Sequence, residues 1–381
     1  MSTHSDERIY FYCCPPIDVA ERAVFQHVSI CLAEGFKQLG IEFYSNVNYW
    51  QTSPDGEDYL SRHDPKIKPD DCSIVCIENA WFDYGNSFPE NLFRGDRTYT
   101  TVLIDGEDNS NSLAFQPGFE AFDLILRTHF NSKFRYPANV YPWAFGLSQR
   151  ILKELSDPLE YGKRKKNILF NFRSNHPVRR ISARQVIPRI QPFFQLDDSV
   201  DTFSYPSSDS YQNLMWTQTN SRHYLSYYKR LQASAACACF GGSFMSPFPQ
   251  DPSSIFNRSF RRMIDQFNLK TRLVSQWDSW RLWESMAAGC VTFHVDLEKY
   301  GCLLPVMPKN WQHYIGVDFD HIQDTIERIE RNPELLENIA VQGRAWALKY
   351  YSPVPTALRF LETVNQVRCF SQKHLKEGQT P

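Results

Sequence analysis

Arg281 and Glu284 lie three residues apart in the run Ser279-Trp280-Arg281-Leu282-Trp283-Glu284-Ser285-Met286-Ala287-Ala288-Gly289. On a helix that spacing sets both side chains on one face. Asp278 or Ser279 suits the capping position. Trp280, Trp283 and Ala287 recur at helical intervals, and Gly289 suits a left-handed stop before the β-rich run 290–295. The pair therefore falls near the positive end of the helix. Free backbone N–H groups there attract a phosphate, and a carboxylate one turn in can accept bonds from ribose hydroxyls. That chemistry suits a nucleotide. The same spacing also makes an ordinary surface ion pair, and Ala-Ala-Gly also makes plain helix-to-strand packing.

Further groups follow runs that read as strands, which is where open α/β sheets hold ligands. Arg173, His176 and Arg179 come after run 167–172 and surround a helix start. A pyrophosphate is the natural anion for such a loop, and a solvated basic loop is the alternative. Gly241 and Gly242 follow run 236–240, either to let backbone approach a ligand closely or to make a simple turn. Asp105, Glu107 and Asp108 follow run 100–104; a carboxylate there can take a proton from a hydroxyl, while an Asp-Gly turn with capping acids is the plainer reading. His27, at the start of the first helix beside Gln26, and His129, after run 123–126, are candidate bases near neutral pH. A lone histidine is more often structural.

The elements that must position these groups alternate. Runs 8–14, 41–44, 73–77, 100–104 and 123–126 read as strands, and 24–39 reads as a helix ended by Gly40. This pattern predicts a parallel α/β sheet. A charged stretch over 148–166, with Lys163-Arg164-Lys165-Lys166, precedes a second alternation. It contains strand 167–172, helix 224–233, strand 236–240, the helix that opens this section, strand 290–295, and helices over 322–331 and 333–350. Two Rossmann-like domains are predicted, 1–155 and 156–353, followed by a closing segment 354–381 whose end, beyond Gln372, reads as disordered. Segment 244–273, rich in Pro and Ser and then basic, reads as a lid or acceptor loop.

Composition narrows the classes. A chain of 381 residues is long for a single core and suits two domains. With 41 basic against 43 acidic residues, no overall positive field argues for nucleic acid or an anionic membrane. Neither a signal peptide nor a transmembrane segment is evident, so a cytoplasmic protein is expected, in which Asn257-Arg258-Ser259 carries no glycosylation meaning. The ten cysteines lack zinc-ligand spacing and a secreted pattern, so reduced thiols are expected. Asp318-Phe319-Asp320 has the spelling of a metal pair but precedes a helix, as capping residues do. There is no Walker loop, no Gly-x-Ser-x-Gly elbow, no His-Glu-x-x-His, and no Gly-x-Gly-x-x-Gly after the first strand, where Cys13-Cys14-Pro15-Pro16 stands instead.

The segment from Arg281 through Glu284 to Ala287-Ala288-Gly289-Cys290 resembles the nucleotide-sugar segment of GT-B glycosyltransferases, above all the exostosin-like and CgeB-like groups. The ending, from Asn332-Pro333-Glu334-Leu335 through Trp346 to Tyr350-Tyr351-Ser352-Pro353, resembles the closing helices of the same enzymes. The resemblance covers 167–353 and is strongest over 279–353. It implies an α/β GT-B fold, two Rossmann-like domains facing a central cleft, with a C-terminal helix crossing back to the first. It implies transfer of a sugar from a nucleotide-sugar donor to a hydroxyl of a glycan, lipid-linked or protein acceptor, with no metal and no cofactor besides the donor. Glu284 would then hold the donor ribose, Arg281 would face the diphosphate or brace Glu284, and Arg173 best matches the family's phosphate-binding basic residue, with His176, Arg179, Gly241, Gly242 and Ser279 beside them. The acceptor would sit in the first domain, with Asp105, Glu107, Asp108 or His27 as base. The departure from the family pattern is the long segment between the glycines and the helix. Two other functions fit a similar frame: a silent nucleotide- or carbohydrate-binding protein, and another sugar-nucleotide enzyme such as an epimerase. Oligomeric state is not readable.

Overall fold

The computed structural model describes residues 7–15, 20–56, 58–108, 112–171, 176–203, 205–244 and 273–377. Six parallel strands from the first half form one sheet, in the order Glu42–Ser45, Arg8–Tyr12, Ile74–Glu78, Thr100–Asp105, Leu124–Arg127, Val140–Pro142. Five from the second half form another, in the order Gln195–Asp197, Lys165–Leu169, Ser234–Ala238, Val291–Val295, Ile315–Val317. In each sheet the earliest strand lies between the second and third. Successive connections therefore leave in opposite directions at that point and open a crevice at the strands' carboxyl ends.

Ile74–Glu78 and Val291–Val295 are buried along their whole length, so their polar members Glu78, Thr292 and His294 are buried as well. Two strands start earlier than expected, at Lys165 and Ser234 rather than at 167 and 236. Lys165 and Lys166 are exposed at a strand's beginning, where hydropathy gives no signal.

The chain ends with helix Pro353–Glu377, which crosses back onto the first sheet's helix His27–Leu39. Pro353 and Pro355 fall in its first turn, where a missing N–H is harmless. Ala357, Phe360, Leu361 and Val364 form its buried stripe, with Phe360 edge-on to Phe36 at 5.6 Å. Arg368 donates to Thr100 Oγ1 (2.9 Å) and to the Ser73 carbonyl (2.7 Å). The backbone is helical to Glu377, within the stretch expected to be disordered, and residues 378–381 lie outside the described residues.

Gly35 is what allows the two helices to meet. A Cβ at that position would press against the Pro353 carbonyl and the Ala357 methyl, and backbone atoms there have no room to move aside. Gly35→Ala is expected to lower unfolding free energy by about 1–3 kcal/mol, the usual cost of overpacking, read in a urea titration.

At the preceding residue, Glu34 Oε2 accepts the Gln149 N–H (2.6 Å) at the start of helix Gln149–Glu154, which links the two lobes. Burial pushes the Glu34 carboxyl up to about 8. A carboxyl whose folded value is raised favours the native state most at low pH, and that contribution fades as pH climbs through 8. The melting temperature should therefore fall from pH 5 to pH 9. In Glu34→Gln, which keeps an acceptor oxygen without the ionisation, the fall should be smaller.

Candidate active site

Two loops bring the carboxyl ends of the sheets together. After Leu124–Arg127, Phe130 accepts the Trp277 indole N–H through its carbonyl (3.2 Å), and Asn131 Nδ2 donates to the carbonyls of Val274 (3.1 Å) and Tyr300 (2.9 Å). His129 Nδ1 accepts the Asp278 N–H (3.0 Å). Asp278 in turn takes the Phe145 N–H (3.0 Å) and the Trp283 indole N–H (2.8 Å) on its carboxylate. Burial pushes that carboxyl up to about 7. The segment ahead of helix Trp280–Ala288 is thus pinned to the first lobe.

With Asp278 committed elsewhere, Ser279 occupies the N-cap in an extended conformation and makes no side-chain cap bond. The first turn of the helix keeps its positive end for other partners. Gly289 takes the left-handed stop at φ 74°, as the sequence predicts. One turn in, Glu284 is 5% exposed and its Oε1 accepts the Tyr228 hydroxyl (2.9 Å). Arg281 is half-buried, with its guanidinium 5.9 Å from the centre of the Tyr227 ring.

Beside Arg281 stands Arg179, donating from Nε to the Phe240 carbonyl (2.9 Å). Burial, and then the Arg281 charge, pull its guanidinium down to about 10. Two cations so placed raise each other's energy, and an anion beside them would lower it. His176, at the N-cap of Pro177–Ile181, has its pKa lowered by burial and by Arg179. Arg173 lies outside the described residues, as do the glycosylation spelling at 257–259 and nearly all of the expected lid over 244–273.

Gly241 and Gly242 lie against the segment that precedes the helix. A Cβ on Gly241 would meet the Trp277 carbonyl at 3.2 Å, and one on Gly242, at φ +89°, would meet the Gln276 carbonyl at 3.0 Å. The chain's own segment 275–277 packs close against both glycines, which matches the plain-turn alternative.

The first lobe's acids separate. Asp105 is fully buried: its carboxylate takes Arg127 Nη1 (2.8 Å), Ser112 Oγ (2.6 Å), the Leu113 N–H (3.1 Å) and the Glu107 N–H (3.2 Å). Saturated in this way, it is a structural anion and not a base, a correction. Glu107 is half-buried and pushed up to about 7, first by burial and then by Asp83. Asp108 is exposed; burial opposes its ionisation, but His129, 3.5 Å away, and Gln276 hold the carboxyl below its ordinary value.

His27 is corrected as well. It is buried among Phe25, Phe145 and Trp280, its Nε2 lies 3.3 Å from the Gly146 carbonyl, and burial followed by Arg150 drives its pKa down to about 3. A ring so reluctant to accept a proton makes a poor base. The positive end of its helix is already filled. Glu78, pushed up to about 7 by burial, accepts the Ser29 N–H (3.0 Å) and hydroxyl (2.6 Å). That carboxylate stands where a dinucleotide's phosphates would need to sit.

Asp318 belongs to a turn: burial opposes its charge, but Lys299 and His321 hold it down to about 2. Among the described residues no three His, Cys, Asp or Glu converge as a metal site.

Sequence reasoning passed over Tyr227, Tyr228, Arg150 and Gln276. The adjacent tyrosines were visible, but nothing local says that a helix 50 residues upstream will turn them toward Glu284. Gln276, at φ +53°, left no trace either.

No family model matches the sequence, and no curated protein does. Solved structures match in shape. AviGT4, a glycosyltransferase involved in avilamycin A biosynthesis, superimposes with a TM-score of 0.51 at 11% identity, covering 95% of this chain and 98% of its own. An alpha-glucosyltransferase in complex with UDP gives 0.50 at 11% identity, covering 95% and 99%. The chain has the GT-B fold. At this identity the likeness speaks for architecture: two Rossmann-like sheets, a cleft between their carboxyl ends, and a last helix returning to the first lobe.

The Asp105–Arg127 pair belongs to the GT-B scaffold's first lobe. Asp105→Ala removes the carboxylate that neutralises a guanidinium only 2% exposed, so a loss of about 3–5 kcal/mol in stability is expected in chemical denaturation, whatever happens to turnover.

Proposed function

We propose that this protein is a glycosyltransferase that moves a sugar from a nucleotide-sugar donor to an acceptor hydroxyl. One observation carries the reading. At the strand-order reversal of the second sheet, Arg179 and Arg281 adjoin a helix start without a side-chain cap, with the Glu284 carboxylate one turn along. The arginines, with Arg173 and His176, would take the diphosphate, the Ser279 end of the helix would add its dipole, and Glu284 would take the ribose hydroxyls. The exostosin-like and CgeB-like resemblance of the same helix supports this division.

The domains divide at 1–155 and 156–353 in this reading, with the acceptor, a glycan or another hydroxyl compound, in the first. Of the first lobe's acids, Glu107 is best matched to proton transfer, because its carboxyl titrates near neutrality beside Asp83. Asp108, which faces Gln276 and His176, would keep a negative charge in the cleft beside the reacting sugar. Arginines and the helix dipole would steady the departing nucleoside diphosphate, with no metal and no cofactor besides the donor. The ten unpaired cysteines, nine of them buried, favour a reducing compartment such as the cytoplasm. No helix among the described residues is long and apolar enough to cross a membrane.

Calorimetry with UDP, GDP, ADP and CDP tests the donor site. One of these should bind, and Glu284→Ala should weaken it at least roughly tenfold, as expected for losing bonds to a charged acceptor. Undiminished binding would remove Glu284 from the site. Release of nucleoside diphosphate from the matching nucleotide-sugar separates transfer from silent binding and from epimerisation, which keeps the nucleotide on the sugar.

A further inference from the structure

Glu284 is the near end of a buried hydrogen-bonded chain that leaves the second sheet and stops at the connection between the lobes. The Tyr228 hydroxyl donates to Glu284 Oε1 (2.9 Å) and accepts from Arg150 Nη1 (2.7 Å). The same nitrogen contacts His223 Nδ1 (2.9 Å), and His223 Nε2 lies 3.3 Å from Glu154 Oε1. Arginine only donates, so the direction of every bond is settled: His223 accepts on Nδ1 and carries its proton on Nε2, and the tyrosine has one hydrogen, which goes to Glu284. Arg150, Tyr228 and His223 are 3%, 1% and 0% exposed.

A guanidinium that is almost wholly buried is costly unless it neutralises something. Burial works against the Arg150 charge, yet Tyr228 and Glu284 raise its pKa above the ordinary value. The arrangement makes sense as a means of fixing one carboxylate oxygen.

We propose that Tyr228 and Arg150 are positioning residues for Glu284: the tyrosine hydroxyl, polarised by the guanidinium, fixes Oε1 so that the other oxygen meets the ribose hydroxyls of the donor nucleotide. The inference rests on the reading of Glu284 as the ribose-binding group. It adds that the donor site's selectivity for ribose is set partly by Arg150, a residue of the interlobe helix Gln149–Glu154, far from Glu284 in the chain.

The readout is discrimination between UDP and 2′-deoxy-UDP, with GDP and ADP and their deoxy forms tried alongside. Wild type should prefer the ribonucleotide. Tyr228→Phe removes one oxygen and leaves the ring, and should reduce that preference by roughly tenfold, the scale of a lost hydrogen bond to a charged group, with binding of the deoxynucleotide unchanged. Arg150→Lys should keep part of the preference and Arg150→Met should lose it. A Tyr228→Phe protein that weakens both nucleotides equally, or that keeps the wild-type preference, overturns the proposal. If Glu284→Ala abolishes the preference while Tyr228→Phe keeps it, the relay falls and the ribose role of Glu284 stands. If wild type binds no nucleotide, or binds both forms alike, the ribose role falls and the relay with it. Arg150→Met may unfold the linker helix; Tyr228→Phe decides the matter regardless.

Discussion

The donor-side geometry hangs on the buried carboxylate of Asp278. It accepts the Phe145 N–H from the first lobe and the Trp283 indole N–H from the second, while its own N–H is held by His129. These bonds orient the start of helix Trp280–Ala288 against the first lobe, and Arg281 and Glu284 follow from that orientation. A charged carboxylate is expensive in such surroundings, and the upward shift to about 7 shows that the pocket tolerates the neutral form almost as well. Because Asp278 is spent on the interlobe junction, Ser279 is left as an N-cap without a side-chain bond, and the helix keeps an attractive end for an anion.

Around that end the charges are arranged against their own comfort. Arg179 lies close enough to Arg281 for the two to repel, and burial adds to the penalty. On the first lobe's side, Glu107 is held near neutrality beside Asp83, and Asp108 is kept ionised by His129 and Gln276. Asp105 with Arg127 and Asp318 with Lys299 form ion pairs inside the scaffold.

Much of the architecture could be read before any coordinates. Apolar runs marked eight of the eleven strands of the two sheets to within a few residues, because central strands are covered on both faces, while the short edge strands Val140–Pro142, Gln195–Asp197 and Ile315–Val317 left no such run. Gly40 and Gly289 marked helix ends, since a left-handed residue is needed there. Exposed strand beginnings such as Lys165 were hidden, as was the helical continuation past Gln372. Of the candidate site, Arg281, Glu284, His176 and Arg179 were singled out by their placement after strands and at a helix start. Asp105 and His27 were chosen by the same rule and proved to be interior groups, because position after a strand does not tell whether neighbours will close over the side chain.

By itself the sequence determined the element order, the two alternating halves and the helix that carries Arg281 and Glu284, because these depend on local periodicity and on glycine's backbone freedom. The tertiary structure alone decided which charged groups stay available and which are consumed. Gly241 and Gly242 admit the chain's own segment 275–277, Glu78 fills the first helix's positive end, and Arg150 reaches Glu284 through Tyr228. Each of these is a contact between residues far apart in the chain, and electrostatic worth depends on the burial and partners that only folding supplies.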